Sequence, residues 1–103
     1  MKQYNFKKPL LNLDGTVLKD KDEEILINKA LAMNLSQQSK GDALKVYDWS
    51  RILYDKGVLS LDRSDARKLK QIIEGMENAS VLFKAQLLEV FEGAEIENEK
   101  PDE

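Results

Sequence analysis

The sequence predicts an α+β domain, an N-terminal β-hairpin and a short third strand packed with about four helices. Three observations carry that expectation. Prolines stand only at positions 9 and 101, so residues 10–100 contain no obligatory helix breaker. Apolar residues recur at helical spacing in four separate stretches. Asp14-Gly15 is flanked by two short apolar segments, a strong local signal for a tight hairpin.

Taken in order, Leu10-Leu11-Asn12-Leu13 and Thr16-Val17-Leu18-Lys19 form the hairpin arms, with Asp14-Gly15 as a type I′ turn and Tyr4-Asn5-Phe6 as an extension of the first arm. Asp20-Lys21-Asp22-Glu23-Glu24 then supplies carboxylates suited to a helix N-terminus, with Asp20 or Asp22 as the cap. Ile27, Leu31 and Leu35 repeat every fourth residue, so the first helix is expected over about 23–37. Asp42 caps a second helix that Gly57 ends. Ala43, Val46, Tyr47, Trp49, Ser50, Leu53 and Tyr54 share one broad face of it, whereas Leu44 and Ile52 fall outside that face. Val58-Leu59-Ser60-Leu61 reads as the third strand, able to join the hairpin. Asp62-Arg63-Ser64-Asp65 resembles a cap ahead of a third helix carrying Ala66, Leu69, Ile72, Ile73 and Met76, and Asn78 or Ser80 caps a fourth that runs to Gly93. Residues 1–92 form one expected domain.

The formal charge of −3 averages two unlike parts. Residues 92–103 hold six acids against Lys100 and carry −5, which leaves +2 for residues 1–91. The acidic end, 93–103, has little to bury and is expected to be disordered. Within the body, residues 1–21 and 40–70 each carry +3. No apolar run approaches the ~20 residues a membrane span needs, and no secretory signal opens the chain, so a cytoplasmic protein is expected.

The chain has no cysteine and no histidine. Thiolate nucleophiles, disulfides, imidazole bases and zinc sites built on sulfur or imidazole are therefore excluded. Asn12-Leu13-Asp14-Gly15-Thr16 resembles the first motif of the haloacid-dehalogenase-like phosphatases, Asp-x-Asp-Gly-Thr. Asn12 stands where the nucleophilic aspartate belongs, and an amide cannot form the aspartyl-phosphate. Asp20-x-Asp22-x-Glu24 opens like a calcium loop but has Ile25 in place of the sixth-position glycine and Leu31 in place of the twelfth-position glutamate. Asp48 and Asp55 lie seven apart on one helical face among Lys45, Arg51 and Lys56, which reads as a solvated salt-bridged surface. No catalytic residue, cofactor or metal is expected.

Two surfaces remain. Leu44, Trp49 and Ile52 form a candidate partner surface on the second helix. Arg51, Lys56, Arg63, Arg67, Lys68 and Lys70 form a candidate basic patch for nucleic acid, although no aromatic for base stacking is interleaved among Arg63, Arg67, Lys68 and Lys70. The order Asn12-Leu13-Asp14-Gly15, Lys40-Gly41-Asp42-Ala43-Leu44-Lys45 with Tyr47 and Trp49, Leu61 ahead of Ser64-Asp65, then Lys84-Ala85-Gln86-Leu87-Leu88-Glu89 resembles small bacteriophage and prophage proteins of mostly unassigned function. That resemblance implies a viral origin and the host cytoplasm, and brings no catalytic residues. The expected function is a non-enzymatic accessory protein that binds another protein, host or viral, or itself. A nucleic-acid-binding regulator using residues 51–70 is the alternative.

Overall fold

The computed structural model describes residues 1–38, 41–93 and 95–96. Its elements are β1 (Lys2–Asn5), β2 (Lys19–Asp20), β3 (Glu23–Glu24), α1 (Ile27–Ser36), α2 (Ala43–Asp55), β4 (Val58–Leu61), α3 (Arg63–Glu74), α4 (Val81–Glu92) and β5 (Glu95–Ile96). The fold is α+β, with four helices and two small sheets among the described residues, one ordered β4-β1-β5 and the other pairing β2 with β3. The expected third strand is thus present as β4, but it belongs to the sheet of β1 and not to the hairpin.

Internal contacts divide the chain into two units, Phe6–Leu59 and Met1–Asn5 with the chain from Ser60 onward. In the first, the hairpin around Asp14-Gly15 forms with a different turn from the one expected. Leu11 bridges Val17, Asn12 donates its N–H to the Thr16 carbonyl, and Gly15 donates to the Asn12 carbonyl. Only Gly15 has positive φ there, at +89°, so the loop is a three-residue connection ending in a left-handed glycine. A type I′ turn needs two such residues.

The type I′ pattern occurs instead at Lys21-Asp22, with φ of 53° and 67°, between the paired strands β2 and β3. The carboxylates expected to cap α1 are spent on this second hairpin. Leu10 donates to the Ile25 carbonyl and Ile27 to the Lys8 carbonyl, so backbone pairing holds the approach extended until Ile27. Leu26 occupies the cap position without a side-chain bond. Neither left-handed turn residue is glycine. Asp22→Gly is expected to stabilise the protein by about 0.5–1 kcal/mol by removing the Cβ from a left-handed site. A urea midpoint unchanged or lowered at constant slope would contradict this.

α1 turns Ile27, Leu31, Ala32 and Leu35 inward, and α2 packs beside it with Val46, Trp49 and Leu53 buried. Asp42 caps α2 through the Lys45 N–H, as expected. Buried Ser50 returns its hydroxyl proton to the Val46 carbonyl and so leaves no unmet donor.

In the other unit Asp62 caps α3 through the Asp65 N–H at 2.7 Å and Ser80 caps α4 through the Phe83 N–H at 3.1 Å. Both agree with the capping signals in the sequence. α3 buries Ala66, Leu69 and Ile73, and α4 buries Phe83, Leu87 and Val90. Tyr4 meets Phe91 at a ring separation of 5.1 Å, and burial pushes the Tyr4 phenol pKa up. Part of the expected disordered end is a strand: β5 pairs antiparallel with β1, Lys2 opposite Ile96 and Gln3 opposite Glu95. Residue 94 and residues 97–103 of that acidic end lie outside the described residues.

Candidate functional site

Helix α2 has two apolar arcs where the sequence suggested one broad face. The inward arc is Val46, Trp49, Ser50 and Leu53. The outward one contains Leu44, Tyr47 and Tyr54, which are 81%, 58% and 52% exposed. The expected roles of the aromatics are therefore exchanged. Trp49 is 6% exposed and cannot join a partner surface without leaving the core, whereas both tyrosines face water. The reason is the position of the arc's centre. On a wheel of ~100° per residue the inward arc centres between Trp49 and Ser50, which leaves Tyr47 and Tyr54 roughly 100° away at its margin. A tyrosine tolerates that margin because its hydroxyl stays hydrated, while an indole gains more from burial.

Leu44, Tyr47, Arg51 and Tyr54 stand at i, i+3, i+7 and i+10, which aligns them along one side of the helix. Cations brace both rings. The Arg51 guanidinium lies 5.7 Å from the Tyr47 ring centre, and the Lys29 ammonium of α1 lies 5.3 Å from that of Tyr54. Each contact limits the rotamers of an exposed aromatic and leaves part of its face open. Ile52 is half-buried and lies off this line. It lines a cleft of about 540 Å³ with Asp48, Arg51, Asp55 and Lys56, so carboxylates and cations share the border of the outward arc. The structure thus retains Leu44 and Ile52 near the expected surface, removes Trp49, and adds Tyr47, Arg51 and Tyr54. The 44-47-51-54 spacing was a readable signal for the tyrosines, since a helix with one buried arc does not need a second seam.

The candidate basic residues are all exposed and divide between the units, Arg51 and Lys56 on or just after α2, and Arg63, Arg67, Lys68 and Lys70 on α3. On α3, Arg63, Arg67 and Lys70 recur at i, i+4 and i+7 and share a stripe, while Lys68 lies roughly 140° round from Arg63. A smaller cleft of about 300 Å³ beside the start of α3 is lined by Lys2, Tyr4, Asp62 and Arg63. Its charges are mixed, and Asp62 already occupies the helix end as its cap.

The hairpin tip that resembles a phosphatase motif is a braced turn. The Asp14 carboxylate accepts from the Thr16 hydroxyl at 2.7 Å and the Thr16 N–H at 3.0 Å, and Asn12 donates its amide to the Thr16 hydroxyl. The Thr16 hydroxyl, followed by the backbone bond, holds the Asp14 carboxyl below its ordinary value. A carboxylate kept ionised in this way is a poor proton donor. Among the described residues no three acidic side chains converge as a metal-binding group, and no helix is long and apolar enough to cross a membrane. No family model matches the sequence, and no curated protein or solved structure matches it.

Proposed function

We propose that the chain is a non-enzymatic accessory protein, of the kind phages and prophages encode, that works by binding a protein partner, host, viral or a second copy of itself, through the outward arc of α2. The observation that supports this reading is the alignment of Leu44, Tyr47, Arg51 and Tyr54 on solvent. Tyrosine and arginine are, with tryptophan, the side chains enriched at the energetic centres of protein interfaces. Here they are pre-ordered by cation–π contact, which lowers the entropy lost on docking. The resemblance of the sequence to small phage proteins supports the accessory role and a bacterial cytoplasmic setting.

A photo-crosslinking amino acid at Tyr47 is expected to trap a discrete product in bacterial cells, and the same group at Arg67 on α3 is not. Adding Leu44→Glu should remove the Tyr47 product without altering the circular dichroism spectrum. No product from Tyr47 or Tyr54 would refute the surface. The Arg63-Arg67-Lys70 stripe favours the alternative of nucleic-acid binding. That reading predicts a gel shift at low salt that fades steeply as salt rises and is lost with Arg67→Glu.

A further inference from the structure

We propose that the occupant of this arc is a second copy of the same chain, its α2 running antiparallel about a twofold axis that crosses the helix at the level of position 49. The proposal rests on reading α2 as a protein-binding surface and specifies the partner. The order of side chains along the helix is self-complementary. In an antiparallel pair, residues equally far from position 49 stand level with one another. Leu44 then meets Tyr54 of the second copy, and Tyr47 meets its Arg51, giving four layers with no apolar side chain left opposite a bare charge.

Charge complementarity decides between the possible directions. Arg51 and Asp48 lie on the same flank of the arc, and a twofold axis perpendicular to the helices keeps that flank on the same side in both copies. Arg51 lies two residues from the centre and Asp48 one, so Arg51 of each copy comes within about 1.5 Å, along the axis, of Asp48 of the other. Two arginines and two aspartates then alternate around the axis with no net charge. Asp55 is carried level with Ala43 of the other copy, the first residue of its helix, where a carboxylate is favoured. A parallel pair would set Arg51 against Arg51. An unrelated helix would have to bring its own acid for Arg51, which a second copy already holds.

A 13-residue helix is only about 20 Å long. Two such helices bury less than the ~1,200 Å² of a standard stable interface, so the dimer is expected to be weak, with a dissociation constant on the order of 10⁻⁴ M.

Sedimentation equilibrium of the full chain should give a monomer mass at about 10 µM and approach a dimer mass near 1 mM. Arg51→Asp alone and Asp48→Arg alone should each hold the chain monomeric at 1 mM, and the double reversal should restore the dimer. Circular dichroism of each variant checks the fold. A monomer mass for the natural chain at 1 mM, single reversals without effect, or a double reversal no better than the singles would each overturn the second copy as the occupant. If the natural chain stays monomeric while Tyr47 still crosslinks to a different protein, only the second copy fails. If it stays monomeric and Tyr47 crosslinks to nothing, the binding surface fails with it.

Discussion

Replacing Gly57 by alanine is expected to destabilise the protein by about 2–5 kcal/mol, a large share of the roughly 5–15 kcal/mol a chain of this size holds. Two effects add. The backbone of Gly57 has φ of +79°, where a Cβ collides with the following carbonyl at a cost of about 1–2 kcal/mol. That Cβ would also stand 2.8 Å from the Lys7 Cβ and 3.1 Å from the Asn28 amide nitrogen. The Lys7 atom lies next to the backbone and cannot swing aside, so the chain itself must shift, at about 1–3 kcal/mol more. Nor can the segment give way easily. Lys56 and Gly57 both donate to the Ile52 carbonyl at the end of α2, and the Gly57 carbonyl accepts from Phe6 at 2.8 Å. Gly15 supplies the control. Its φ is +89° but its Cβ would meet nothing within 4 Å, so Gly15→Ala should lose only the backbone part. Urea melts that gave equal losses for the two variants would refute the steric account.

The same contrast shows which parts of the fold are legible in the sequence. Asp42 caps α2 as expected, Asp62 caps α3 from within the expected stretch and Ser80 is the one of two candidates that caps α4, because a cap is a local bond between residues three apart. Asp20 and Asp22 look equally suitable and cap nothing. Whether a carboxylate starts a helix or sits in a turn depends on whether its strand finds a partner, and here Leu10, Leu18 and Ile25 bond to one another across the chain. The pairing of β1 with β4 and β5 is likewise non-local, and four residues of mixed polarity carry no address for a strand more than fifty residues away. On α2, the wheel separated Leu44 from the core correctly but placed both tyrosines within it. A helical projection shows that two arcs exist, and only the neighbouring α1 shows where the first one ends. Asn28 is the polar residue at a core-period position of α1, and that polarity is legible in the sequence.

That residue gives the second large effect. Asn28→Asp should destabilise the protein by about 3–5 kcal/mol at neutral pH, although the exchange alters a single heavy atom. Asn28 is 3% exposed and donates its amide N–H to the Leu53 carbonyl at 2.8 Å. Leu53 lies in the last turn of α2, whose carbonyls have no partner within the helix, so Asn28 completes that end from α1. An aspartate carboxylate has no N–H to donate. It would set one oxygen against another at that distance, in a place where the amide oxygen of Asn28 already has no partner among the described residues. Burial and the facing carbonyl both disfavour the charge, so the carboxyl pKa in the folded state would rise above its unfolded value of ~3.9. Between the two values the folded protein holds a proton that the unfolded chain releases, and stability therefore falls as pH climbs through that interval. Below it the protonated acid can itself donate to Leu53 and much of the loss is recovered. The difference between Asn28→Asp and the natural chain, each melted in urea at the same pH, should thus be greatest at pH 7.5 and shrink towards pH 4. Asn28→Ala, which removes the donor and adds no charge, should differ from the natural chain by about 1–3 kcal/mol at both. An Asn28→Asp difference that stays flat with pH would mean the site admits water, and that the end of α2 is not sealed by this bond.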